Sequence, residues 1–151
     1  MAAPSPEFRH ATRDDVPAVV ALLFDDVLGR SRETAPRDRY LAAFDAMRGE
    51  GRNHLIVAVA DGFIVACYQI TFISGLSLGA SRRAQIEGVR VAAGWRGRGI
   101  GESLIRDAEA RAREAGCALM QFTTSKARSE AHRFYDRMGF TPSHIGYKKP
   151  L

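Results

Sequence analysis

Apolar positions along the chain repeat with two periods, and the switches between them predict the elements. Val16, Val19, Val20 and Leu23 recur at helical spacing. Thr12-Arg13-Asp14-Asp15 precedes them, with Thr12 as a cap and Asp15 three residues on, a variant of the capping box. A second helix follows Pro36, with Tyr40, Leu41, Phe44 and Met47 on one face, and residues 29–35 form a polar loop between the two. Residues 55–60 and 63–72 are apolar and β-branched, and the intervening Asp61-Gly62 predicts a hairpin. Residues 75–81 read as a loop. Residues 85–91 read as a strand, with Gly88 marking a bulge or a close backbone approach. Ile100, Leu104, Ile105, Ala108, Ala112 and Ala115 form one stripe of a helix over 100–115, which Gly116 ends. Residues 117–123 form the next strand. Ser129 then caps a short helix carrying Ala131, Phe134, Tyr135 and Met138, which stops at Gly139, and residues 143–149 form a last strand. The predicted order is β-α-α-β-β-β-α-β-α-β, a mixed α/β fold with an antiparallel front half. No repeat or long linker divides it, so the expectation is a loose tail over residues 1–6 and one domain over 7–151.

Composition narrows the setting. A chain of 151 residues with 46% hydrophobic residues suits one ordinary core. No apolar run approaches the roughly 20 residues of a membrane span, and the first residues lack the basic start and apolar stretch of a secretory signal. The expected setting is the cytoplasm, with no membrane partner. Cys67 and Cys117 have no Cys-x-x-Cys partner and no zinc spacing, so they read as buried thiols and no metal site is expected. The net charge of +5 is uneven. Residues 1–75 carry 8 basic and 10 acidic groups, and residues 76–151 carry 14 basic and 7 acidic. The basic half would favour an anionic ligand. Nucleic acid is not expected, because the chain has no zinc finger, aromatic RNA-binding signature or dense basic run.

That basic half contains Arg96-Gly97-Arg98-Gly99-Ile100-Gly101, between the strand over 85–91 and the helix over 100–115. Glycines allow a tight bend, and a helix start presents unpaired N–H groups with the positive end of the macrodipole. Such a turn suits a phosphate or pyrophosphate. It is not a Walker loop, which needs Gly-Lys-Ser/Thr, nor a dinucleotide loop, since Glu102 follows Gly101 and the third glycine is misplaced.

The run Val89-Arg90-Val91-Ala92-Ala93-Gly94-Trp95-Arg96-Gly97-Arg98-Gly99-Ile100-Gly101 instead resembles the acetyl-CoA-binding core of the GCN5-related N-acetyltransferase (GNAT) superfamily. About 30 residues on, Ala131-His132-Arg133-Phe134-Tyr135-Asp136-Arg137-Met138-Gly139-Phe140 resembles that superfamily's Ala-x-x-apolar-Tyr-x-x-x-Gly-Phe signature. The resemblance implies the acyl-CoA N-acyltransferase fold: a mixed, mostly antiparallel sheet with splayed central strands, flanked by helices. It implies acetyl-CoA as cosubstrate and direct transfer of the acetyl group to a primary amine. Backbone donors from Arg98, Gly99, Ile100, Gly101 and Glu102, with Gly97 in the turn and Arg96 nearby, would hold the coenzyme pyrophosphate. Val89, Arg90 and Val91 would hydrogen-bond the pantetheine arm as another strand would.

The same resemblance implies Tyr135 as the acid that protonates the leaving thiolate, since a phenol of reference pKa near ~10 is protonated at neutral pH. It implies Glu87 as the base for the attacking amine. The other readings are a core aromatic for Tyr135 and an ion pair with Arg82 or Arg83 for Glu87. Arg128 stands where many relatives carry an asparagine that contacts the arm, and it could instead pair with a coenzyme phosphate or sit in solvent. His132 reads as a surface helix residue.

The acceptor is thinly encoded: a small molecule or a peptide amine fits. Asp25 and Asp26 could attract a cationic amine, or Asp26 could pair locally with Arg30. The rival function is a non-catalytic acetyl-CoA-binding regulator acting through a partner. Whether two copies associate, through residues 75–81 or the last strand, is open at this level.

Overall fold

Asp61 and Gly62 both adopt positive φ (50° and 79°), the signature of a tight hairpin turn in the computed structural model of the chain. The structure describes residues 5–26 and 28–151. Of the expected loose tail, positions 1–4 lie outside the described residues. The hairpin joins β2 (Asn53–Ala60) to β3 (Phe63–Ile73), and these strands begin a sheet in the order β1-β2-β3-β4-β5. β1 is Glu7–His10, β4 is Arg83–Val91 and β5 is Leu119–Gln121. The first three pairings are antiparallel and β4–β5 is parallel, as the crossover through a helix requires.

Side chains alternate across the sheet. On one face Tyr68, Ile70, Ala84 and Ile86 are buried, with α5 (Ile100–Glu114) packed on β3 and β4 through Leu104, Ile105 and Ala108. Tyr68 donates to Asp107 of α5 at 2.5 Å, and Arg111 donates to the same carboxylate oxygen at 2.8 Å. Burial and the adjacent carboxylate push the Tyr68 phenol well above its usual range. On the other face α1 (Val16–Phe24) packs on β3 and β4, and α3 (Arg37–Glu50) packs on β2.

The chain divides into two compact units, Met1–Gln121 and Phe122–Leu151. The second holds α6 (Ser129–Arg137) and no strand, so the strand expected over 143–149 does not form. That segment is exposed throughout, so its apolar Ile145 and Tyr147 do not find the half-buried face that would reward extended pairing. The strand expected over 117–123 is shorter, because pairing with β4 covers only Leu119–Gln121. Ser129 is the first residue of α6 rather than its cap; Arg128 takes the N-cap position. Within the loop expected over 29–35, one turn of helix forms, α2 (Gly29–Arg32). Within residues 75–81 lies a single turn, α4 (Ser77–Ala80), in which Leu78, Gly79 and Ala80 have positive φ. No helix of the described residues is long and apolar enough to cross a membrane.

Gly29 is fixed by sterics. A Cβ there would lie 1.8 Å from the Leu23 carbonyl oxygen and 2.9 Å from its carbon, both rigid backbone. Gly29→Ala must therefore separate α2 from the end of α1. Overpacking of this kind costs about 1–3 kcal/mol, and the urea midpoint should fall at an unchanged m-value.

Candidate active site

A single inserted residue organises the centre of the sheet. On β4, Gln85 pairs with Thr71 and Glu87 with Gln69, but Arg90 pairs with Cys67, so the ladder slips between these points. Gly88, at φ +59, lies within the slip. Positions 67, 69 and 71 share one face of β3, so Gln85, Glu87 and Arg90 share that face of β4. Simple alternation would have placed Glu87 and Arg90 on opposite sides. The face is the one α1 covers, where Val19 packs with Val57 and Cys67, and Leu23 Cδ2 lies 3.6 Å from where a Gly88 Cβ would stand.

Glu87 is exposed and holds no ion pair among the described residues. Neither arginine considered as its partner takes that role. The Arg82 guanidinium lies over the Phe72 ring at 5.7 Å, and Arg83 forms no ion pair among the described residues. Around Glu87 is an amide network that the sequence reading passed over inside apolar strands. Gln69 Nε2 donates to Asn53 Oδ1 at 2.8 Å, Thr71 donates to the same oxygen at 3.3 Å, and Gln121 Nε2 donates to Gln85 Oε1 at 2.9 Å. The available signal was polar residues at alternate positions, 69 and 71 on one strand and 85 and 87 on another.

Arg90 reaches Asp26 at 3.3 Å and donates to the Val89 carbonyl at 2.8 Å. Asp26 is therefore joined across the chain, beyond the local pairing with Arg30 that its spacing offered. Asp25 contributes its backbone carbonyl, 3.5 Å from an Arg96 guanidinium nitrogen. Arg96 also donates through Nε to the Val91 carbonyl at 3.1 Å. Its side chain thus braces the strand end and the loop after α1.

The glycine turn makes the tight bend that its composition allows. Gly97 (φ 74) and Gly99 (φ 79) are left-handed, where a Cβ would be strained. Gly99 is the N-cap of α5, and the first bond of the helix runs from the Ser103 N–H to the Gly99 carbonyl at 3.1 Å. The N–H groups of Ile100, Gly101 and Glu102 thus precede any i−4 acceptor and form an anion-ready helix start. The Glu102 carboxylate is ion-paired to Arg106, one turn on. The Arg98 guanidinium sits over Trp95 at 4.9 Å. Beside the turn, β4 continues six residues past its last pairing with β5, at Gln85–Gln121. The backbone of residues 86–91 thus extends beyond the β5 ladder.

In the second unit, Tyr135 lies on α6 within an aromatic cluster. Its ring centroid is 4.2 Å from Phe122, 5.3 Å from Phe134 and 5.9 Å from Phe140. Gly139, at φ 90, ends the helix, its N–H bonding the Asp136 carbonyl and the Phe140 N–H bonding the Tyr135 carbonyl, each at 3.1 Å. This is a Schellman stop. It explains the spacing Tyr-x-x-x-Gly-Phe: glycine takes the left-handed position, and phenylalanine returns to the tyrosine one turn back. The Arg128 carbonyl receives the His132 N–H at 3.1 Å, and His132 Nε2 lies 2.8 Å from the Ser125 carbonyl. His132 is therefore engaged at the helix start.

Cys67 is buried, and burial pushes its thiol up to about 12. It is no nucleophile near neutral pH. Iodoacetamide at pH 8 should label the partly accessible Cys117 and leave Cys67 unlabelled until the protein unfolds, as read by peptide mass spectrometry.

The sheet, the free helix start and the two signatures together define an acetyltransferase class. The sequence model of the Acetyltransferase (GNAT) family matches residues 18–140, and the chain belongs to that family. It is an N-acetyltransferase by that membership and by its named relatives. The chain is 32% identical over 145 residues to an aminoalkylphosphonate N-acetyltransferase of Salmonella typhimurium, covering 96% of this chain and 91% of that protein. Among solved structures it is similar to a transcriptional regulator from Bacillus halodurans C-125, with TM-score 0.92 and 43% identity over 97% of this chain and 99% of that one. It is also similar to an acetyltransferase from Trypanosoma brucei, with TM-score 0.79 and 25% identity over 97% and 99% of the two chains.

Proposed function

We propose that the protein transfers the acetyl group of acetyl-CoA directly to the primary amine of a small acceptor, both units working as one N-acetyltransferase domain. The family match spans the boundary between them. The observation that carries the reading is the α5 start: two left-handed glycines followed by N–H groups with no intrahelical acceptor, in a motif of acetyl-CoA-binding type. Those donors, at Ile100, Gly101 and Glu102, would hold the pyrophosphate, and Arg98 lies beside them. The β4 backbone at Val89, Arg90 and Val91 would bind the pantetheine arm. The Val89 carbonyl, already receiving Arg90, keeps a second lone pair for it. Arg128, three residues before the second motif, would pair with a coenzyme phosphate.

When bound, acetyl-CoA supplies an activated thioester. An alkylammonium of pKa near ~10 cannot attack until it loses a proton. Glu87, exposed and in no ion pair among the described residues, removes that proton directly or through water. Tyr135 gives its phenolic proton to the departing sulfur. No protein nucleophile is needed.

A thiol-release assay with acetyl-CoA and a panel of amines tests this. Amine-dependent release is expected, with an aminoalkylphosphonate first on the panel because the Salmonella relative is named for that substrate. A second reading, acetyl-CoA binding without catalysis, is favoured by the regulator description of the Bacillus halodurans structure. Tight coenzyme binding with no turnover on any amine would support that alternative.

A further inference from the structure

The acceptor face carries an arginine that nothing above uses. Arg83, Gln85 and Glu87 occupy alternate positions on β4 before the bulge, so they share the face on which Gln69 and Thr71 stand. Arg90 joins them after the slip. Its charge is met by Asp26 at 3.3 Å. Arg83 has no such carboxylate among the described residues. Its strand neighbours are Ile73 and Leu119, and its Nε, like those of Arg82 and Arg90, is buried with no hydrogen-bond partner; of the three, Arg83 alone stands on the Glu87 face with no carboxylate facing it among the described residues. A buried guanidinium donor without an acceptor is costly unless a ligand supplies one. Glu87, four residues along, cannot supply it. At ~3.3 Å per residue their Cα atoms stand about 13 Å apart.

We propose that Arg83 binds the acceptor's acidic group, so that this face selects short amines bearing a phosphonate or a similar anion. The inference rests on the acetyl-transfer reading. Glu87 receives the ammonium end and Arg83 the anionic end. The assignment requires the Arg83 side chain to extend along the face toward Glu87, leaving a gap that a short aminoalkyl chain fills. Gln85 lies between them with its amide held by Gln121, a polar, uncharged floor for the linking carbons. A guanidinium suits a phosphonate because its fork of donors matches two oxygens at once.

The test compares 2-aminoethylphosphonate, 3-aminopropionate and propylamine in the wild-type protein, Arg83→Gln and Arg83→Lys. Acetyl transfer is followed by thiol release, and binding of 2-aminoethylphosphonate by calorimetry with coenzyme A present. Wild type should prefer the two acids to propylamine. Arg83→Gln should raise KM for the phosphonate about 10- to 100-fold, the range for losing a charged hydrogen bond. Its kcat should hold and its KM for propylamine move far less. Calorimetry should show the same weakening, and Arg83→Lys should recover part of it. Equal effects of Arg83→Gln on acid and neutral amines, or no effect on the phosphonate, would overturn the assignment while leaving acetyl transfer in place. Preference for 3-aminopropionate would keep Arg83 and change the anion to a carboxylate. Absence of turnover with every amine would remove the enzymatic reading and this inference together.

Discussion

Tyr135→Phe should lower kcat by about 10²- to 10⁴-fold, the range for losing a positioned general acid, and leave the KM for acetyl-CoA near its wild-type value. The substitution removes one oxygen and keeps the ring. In the second unit the ring contacts to Phe122 at 4.2 Å and Phe134 at 5.3 Å are kept. Its helix stop is made by main-chain bonds from Gly139 and Phe140 and is also untouched. An unaltered far-ultraviolet circular-dichroism spectrum with a large loss of kcat is therefore the expected pair of results. A kcat within about threefold of wild type would give the tyrosine back to the aromatic cluster as a packing residue.

Glu87→Gln should lower kcat/KM for the amine by a similar factor near neutral pH, about 10²- to 10⁴-fold. Glu87 is exposed and takes part in no ion pair among the described residues, so thermal stability should change little. The diagnostic is pH. An amine of pKa near ~10 is almost wholly protonated at pH 7 and increasingly free as pH rises. A base matters most where the acceptor carries its proton, so the deficit should shrink steadily from pH 7 to pH 9.5. A deficit constant over that range would mean that Glu87 binds the acceptor without taking its proton.

Elements whose cause is local were legible before any coordinates. The hairpin at Asp61-Gly62, the stop of α5 at Gly116 and the stop of α6 at Gly139 each depend on backbone sterics at one or two residues. The apolar stripe of α5 was legible because one face had to meet a sheet. The glycine turn was legible as a place for a tight bend, since three glycines in six positions permit one; the structure puts the left-handed residues at Gly97 and Gly99. The strand expected over 143–149 failed because strand formation depends on partners and burial more than on the segment's own residues.

The charge partners were not legible. Asp26 had an i,i+4 arginine close in sequence, yet it reaches Arg90, 64 residues away, because the Gly88 bulge turns that side chain toward α1. Arg82 and Arg83 looked equivalent beside Glu87. Strand alternation sends Arg82 over Phe72 and leaves Arg83 on the same face as Glu87 but too far along it to pair.

The sequence by itself determined the class of fold and the place where an anion would sit, because periodicity, glycine geometry and helix ends act over a few residues. Only the tertiary structure decided which charges are neutralised and which remain available. That outcome turns on one inserted residue in β4 and on strand registers set by distant parts of the chain.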